Sequence, residues 1–175
     1  MKFSLFSRFF FLAILIIGFS YTADAQKKPK SPPKALTHTV GDLTININYN
    51  APYVKGRKIW GGLESYDEVW RTGANNATTF EINQATEING QPLAAGKYSL
   101  FTIPSKDSWT FIFNKEADQW GAYNYKKSAD ALRVVVTPDY DAEFTEQMAF
   151  EVSDEGEVSL VWEKLRASFV VGAVK

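Results

Sequence analysis

Side chains that alternate between apolar and polar suit a strand with one face buried, and this chain alternates repeatedly. In LTININY, Leu43, Ile45, Ile47 and Tyr49 share one face, and Thr44, Asn46 and Asn48 share the other. TTFEI puts Phe80 and Ile82 together, and SWTFIFN does the same for Trp109, Phe111 and Phe113. GKYSLFTIP leads into that aromatic strand through Pro104–Ser108. LRVVVTP is a β-branched run stopped by Pro138, and EFTEQMAFEV alternates imperfectly through Phe144, Met148 and Phe150. Turn signals fall between the runs. Asn89-Gly90 is the strongest of them, and Asp154-Glu155-Gly156 turns the chain into EVSLVWEKLRASFVV. Only SADALR and KEADQW read as short helices. The pattern predicts an all-β fold, one antiparallel β-sandwich of Ig-like or jelly-roll-like class, with about eight to ten strands over residues 35–175.

The N-terminus reads differently. Lys2 and Arg8 precede an apolar run, Phe9–Phe19, and small residues flank Asp24 in Ala23-Asp24-Ala25. This is the layout of a secretory signal peptide over residues 1–25, cleaved after Ala25. The run is about half the length that a membrane-spanning helix needs. No membrane span is expected after cleavage, and the expected location is the periplasm or the outside. Residues 26–34, QKKPKSPPK, form a Lys/Pro-rich linker. The chain has no cysteine. Disulfides, thiolate metal sites and a lipid-modified cysteine are thereby excluded, and the exported domain must rely on its core. A formal net charge of −1 gives no electrostatic footprint for nucleic acid.

Chemistry concentrates in two segments. The first is VKGRKIWGGLESYDEVWRTGANNATTF, where Arg57, Trp60, Trp70 and Arg71 occur among glycines and amides. Arginine suits bidentate recognition of carboxylate or phosphate and stacks on tryptophan. The alternative places Trp70 in the core and pairs Arg71 with Glu64 or Glu68. Within this segment RTGANNAT is expected to be a tight loop, because Thr72, Asn75, Asn76 and Thr78 can bond nearby backbone and hold Arg71 in place. The second segment is NKEADQWGAYNY, with Trp120, Tyr123 and Tyr125 around Gly121. Exposed rings beside amides would suit sugar stacking. Buried rings would instead seal the end of the sandwich.

Other motifs are weaker. His38 is the only histidine, and it reads as a solvent-facing strand residue, not as a catalytic base. Asp139, Asp141 and Glu143 alternate but lack the rest of a calcium loop. Asn76-Ala77-Thr78 matches a glycosylation acceptor by pattern alone. No nucleophile–base set is present. Acid–base chemistry could run only through carboxylates such as Glu64, Asp67, Glu68 and Glu81.

VKGRKIWGGL, VWRTGANNATTF, GKYSLFTIP and NKEADQWGAYNY, in that order, resemble a family of secreted bacterial proteins known as the domain of unknown function DUF2911. The resemblance covers about residues 35–171 and implies an exported, compact, mostly β domain with no assigned activity. Its segments coincide with the polar and aromatic clusters. Lys55, Arg57, Trp70, Arg71, Asn75, Trp120, Tyr123 and Asn124 are therefore the expected ligand-binding residues. No catalytic residue, metal or cofactor is expected. The leading expectation is a non-catalytic module for a glycan or an anionic small molecule. A carboxylate-based glycan hydrolase and a purely structural envelope domain are the alternatives. Nothing in the sequence sets an oligomeric state.

Overall fold

A computed structural model describes residues 29–172. The expected signal peptide and its cleavage point lie outside the described residues. Among the described residues eleven strands, more than the eight to ten expected, form three antiparallel sheets. The largest has the order β1-β2-β3-β6-β7-β8: Pro33–Val40, Leu43–Asn50, Thr78–Ile82, Gly96–Ile103, Trp109–Asn114 and Asp130–Val136. A second contains β9 (Thr145–Val152), β10 (Glu157–Glu163) and β11 (Leu165–Val170), with β10 in the middle. Thr86–Ile88 (β4) and Gln91–Leu93 (β5) make a small hairpin. Within each sheet, neighbouring strands are successive in the chain, apart from the β3–β6 pairing that spans this hairpin. The first strand begins at Pro33, inside the Lys/Pro segment, because proline is tolerated as the first residue of a strand.

The predicted alternation is realised. Leu43, Ile45, Ile47 and Tyr49 of β2 are buried, as are Phe80 and Ile82 of β3 and Trp109, Phe111 and Phe113 of β7. These faces meet the three-stranded sheet. Phe169 of β11 lies 4.9 Å from Phe111, 5.5 Å from Phe113 and 5.8 Å from Phe80 between ring centroids. Four of the five tryptophans, Trp60, Trp70, Trp109 and Trp162, cluster at one end of this interior. Trp70 is therefore a core residue as well as a neighbour of the candidate loop.

The sandwich corners are sealed by backbone. Beyond β2, Tyr53 bridges Gln147, and Met148 N–H donates to Pro52 O at 2.9 Å. Beyond β8, Asp139 and Arg166 exchange N–H···O bonds of 2.8 and 2.7 Å. The two strands leaving the large sheet thus extend the small one on both flanks and cover edges that would otherwise invite pairing.

Neither short helix forms. SADALR instead gives a single 3-10 turn, Lys127–Ala129, followed directly by β8. The β-branched run after it and the long β7–β8 ladder outweigh local helix propensity. KEADQW is a loop held by Asn114, whose Oδ1 accepts from Glu116 N–H at 3.0 Å.

The central strands β6 and β7 are buried on both faces. On the side away from the interior, Ala77, Phe101 and Ile112 pack with Val69, Ile103, Ala122 and Tyr125. Both chemistry-rich segments therefore lie across the back of the large sheet.

Candidate functional site

The first segment reaches the back face by extending the β3 edge of β6. Trp70 and Thr102 exchange backbone bonds of 2.8 and 2.9 Å, and Asp67 N–H donates to Pro104 O at 2.8 Å. Along this strand-like stretch Trp70 enters the interior cluster and Val69 joins the back-face cluster. Arg71 follows and is half-buried.

The loop after it is held by its own side chains. Thr72, fully buried with φ +53°, bonds Thr102 Oγ1 at 3.1 Å through its hydroxyl. Thr78 Oγ1 donates to Thr72 O at 2.6 Å, and Trp70 Nε1 donates to Gly73 O at 3.1 Å. Asn75 Nδ2 reaches Asn50 Oδ1 at 3.4 Å. The threonines do most of the bonding expected of the loop's amides and hydroxyls. Among the described residues Arg71 enters no ion pair, and its Nε is buried without a hydrogen-bond partner.

The second segment docks on the first. Ala77 N–H donates to Gln119 O at 2.9 Å and Gly121 N–H to Asn75 O at 3.0 Å, a short ladder centred on Asn76 and Trp120. Its far end is anchored by a satisfied polar cluster. Tyr125 donates to Asp130 Oδ2 at 2.7 Å, Arg133 Nε donates to the same oxygen at 2.7 Å, and Asn114 Nδ2 donates to Asp130 Oδ1 at 2.8 Å. Arg133 also donates to the Tyr125 hydroxyl. Burial, with the adjacent Asp130 carboxylate, pushes the Tyr125 phenol up to about 12, so it stays a donor.

Between this loop and strands β1–β3 runs an open groove of about 630 Å3. Its floor is the polar face of the sheet, where Ala35, Asn48 and Thr79 stand in one cross-strand row. Asn50, Asn76, Gln119 and Trp120 also line it. Lys97 and Asp118, 3.0 Å apart, balance each other's charge beside it. Trp120 remains 64% exposed and stacks on Tyr123, itself 79% exposed, with centroids 5.5 Å apart and planes 9° from parallel. These two rings do not seal the sandwich.

A smaller recess of about 200 Å3 is lined by Glu64, Glu68, Val69, Trp70, Arg71 and Ala122, among others. Burial pushes the Glu64 carboxyl up to about 7, while the charges of Arg71 and Arg57 pull it down.

The eight expected residues thus divide. Trp120 lines the groove, with Asn75 and Tyr123 adjoining it. Trp70 and Arg71 line the recess. Lys55 and Arg57 sit on the exposed turn before them. Lys55 Nζ is 5.4 Å from the Tyr53 ring centre, and Arg57 Nε bonds Val54 O at 3.0 Å. Asn124 is exposed and lines neither space. Of the carboxylates, Glu64 and Glu68 share the recess, whereas Asp67 and Glu81 do not line it. Asn48, Asn50, Thr79 and Gln119 were missed, although three asparagines on one face of β2 are unusual for a strand and could have signalled them.

The weaker motifs lie elsewhere. His38 is half-buried on β1, its Nε2 3.4 Å from Asp154 Oδ1. Asp139 Oδ1 accepts from Asp141 N–H at 2.8 Å, an Asx turn. Among the described residues no cluster of three or more His, Cys, Asp or Glu could hold a metal ion, and no helix is long and apolar enough to cross a membrane.

Comparison with curated proteins and with solved structures gives no match. A family model described as "Protein of unknown function (DUF2911)" matches residues 31–171, nearly the whole described domain, and the chain belongs to that family.

Proposed function

We propose that the protein is an exported glycan-binding module whose site is the groove beside Trp120. One observation carries this reading: a tryptophan left 64% exposed on a groove floored by amides and hydroxyls. A sugar ring offers an apolar face that stacks on an indole and a rim of hydroxyls that both donate and accept. Asn48, Asn50 and Asn76 provide amides that both donate and accept, and Tyr123 widens the aromatic platform. The groove's volume falls within the range of ordinary ligand sites. Lys97 and Asp118 pair with each other, and Lys34, which enters no ion pair among the described residues, adds one positive charge to the lining. Export rests on the N-terminal sequence and places the module where envelope or environmental glycans occur. No nucleophile is needed and no catalytic step is assigned.

The test is a glycan array probed with wild-type protein and with Trp120→Ala and Asn48→Ala variants. Binding by the wild type that both substitutions weaken at least tenfold supports the groove. Binding that neither substitution alters places the site elsewhere, and a blank wild-type array removes the glycan. N-terminal sequencing of the exported protein should begin at Gln26.

A further inference from the structure

The recess bounded by Glu64 and Arg71 has a chemistry distinct from that of the groove. It is lined by Ala122, whereas the groove is lined by Trp120, two residues earlier on the same loop. Its volume of about 200 Å3 is smaller than the sites that hold drug-sized molecules, so its occupant has few heavy atoms. Arg71 brings a positive charge that no described carboxylate neutralises at ion-pair distance. Its Nε is buried and unbonded. A charged donor in that position is costly to leave unpaired, and a planar guanidinium matches a carboxylate in shape.

The remaining lining narrows the ligand. Leu63, Val69 and Ala122 contribute the minor, apolar share of a mostly polar lining, enough to meet only a short alkyl group. Glu68 places a second carboxylate on the exposed rim, which disfavours a dianion. Among the described residues, the charges of Arg71 and Arg57 act on Glu64, Glu68 shares the recess with it, and the facing loop brings only Ala122 to the lining. Ionised, Glu64 would repel an incoming anion, whereas protonated it offers an O–H donor. Burial already holds its carboxyl near 7, so the protonated form is accessible at neutral pH.

We propose that this recess binds a small aliphatic monocarboxylate between Arg71 and the Glu64 carboxyl, with one proton taken up from solvent onto Glu64 as the ligand enters. The alkyl end of the ligand lies against Leu63, Val69 and Ala122. This site does not depend on the groove: the Trp120→Ala variant should bind the carboxylate as the wild type does.

Acetate is the probe, titrated by calorimetry against sodium chloride at matched ionic strength, from pH 6 to 8.5 in buffers of different ionisation enthalpy. Saturable acetate binding beyond the chloride control is expected. Its affinity should fall about tenfold per pH unit above 7, with proton uptake approaching one per ligand. Arg71→Gln should weaken binding at least tenfold. Glu64→Gln should retain binding but lose the pH dependence and the proton uptake. Thermal unfolding of each variant confirms that it is folded, and should Arg71→Gln fail to fold, the Glu64→Gln comparison alone decides. The proposal is overturned if wild type shows no acetate binding beyond chloride, if folded Arg71→Gln binds equally well, or if Glu64→Gln keeps the wild-type pH dependence.

Discussion

Glu64→Gln should flatten the pH dependence of folding stability. Burial raises the Glu64 carboxyl from 4.5 to about 7, more than Arg71 and Arg57 lower it. Across that window the folded protein keeps a proton that the unfolded chain has released. Stability therefore falls as pH rises from about 4.5 to about 7, then levels off. At about 1.4 kcal/mol per pH unit, the full window is worth at most about 3.5 kcal/mol. Glu64 is partly exposed, and solvent screening reduces the expected effect to about 1–2 kcal/mol. Glutamine preserves the shape and never ionises. Urea unfolding at pH 5 and pH 8, in carboxylate-free buffer, measures the difference. Wild type should lose about 1–2 kcal/mol more than the variant between the two pH values, because the other titrating groups are common to both and cancel. Equal losses in the two proteins would refute the reasoning.

Trp120→Ala and Tyr123→Ala should leave the free energy of unfolding within about 0.5 kcal/mol of wild type, since both rings are mostly exposed; a larger loss in chemical denaturation would make them structural. Tyr140→Phe should cost about 1–3 kcal/mol in the same assay, because it removes the acceptor of the buried Trp109 indole N–H, 2.9 Å away, and the donor to Ser105 O at 2.7 Å. Gly156→Ala should destabilise far more than Gly41→Ala in thermal melts. Both have positive φ, but a Cβ at Gly156 would lie 2.3 Å from Val171 O, whereas at Gly41 it meets open space.

The fold was legible wherever alternation was regular. β2 and β7 were read residue by residue because each buries one complete period-two face. Trp70 was harder. Its segment is strand-like only because it bonds to Thr102 on β6, a partner some thirty positions away, and the turn at Thr72 with positive φ breaks any local pattern. SADALR misled because helix propensity is a weak prior beside a long ladder. The groove was half legible. The polar face of β2 is plain in the sequence, yet which stretch of it becomes a floor depends on where the 115–126 loop crosses the sheet. Similarly, no periodicity separates an exposed Trp120 from a buried Trp162. That outcome is set by the ladder between Asn76 and Trp120.

Two polar clusters lie behind the large sheet, and their difference bears on the recess. Around Asp130 every partner is supplied: Asn114, Tyr125 and Arg133 all bond to its carboxylate. That cluster needs nothing further to account for it as an anchor. The cluster at Arg71 departs from this in three ways within nine residues. Arg71 Nε is unbonded, Glu64 is buried far enough to shift its carboxyl to about 7, and Thr72, β-branched and buried, is held at φ +53°. A left-handed conformation alone costs on the order of 1–2 kcal/mol at a residue with a side chain, and an unbonded buried donor about 1–3 kcal/mol. Against a typical folding stability of about 5–15 kcal/mol, that concentration is large. Departures from local rules that persist in an otherwise consistent fold tend to mark sites under functional constraint. The strained Thr72 also has a geometric effect: it locks the loop immediately after Arg71, so the guanidinium loses little freedom when an anion arrives. A ligand carboxylate would neutralise the guanidinium charge that no described carboxylate pairs at ion-pair distance, which is why this cluster, and not the satisfied one, supports a binding role.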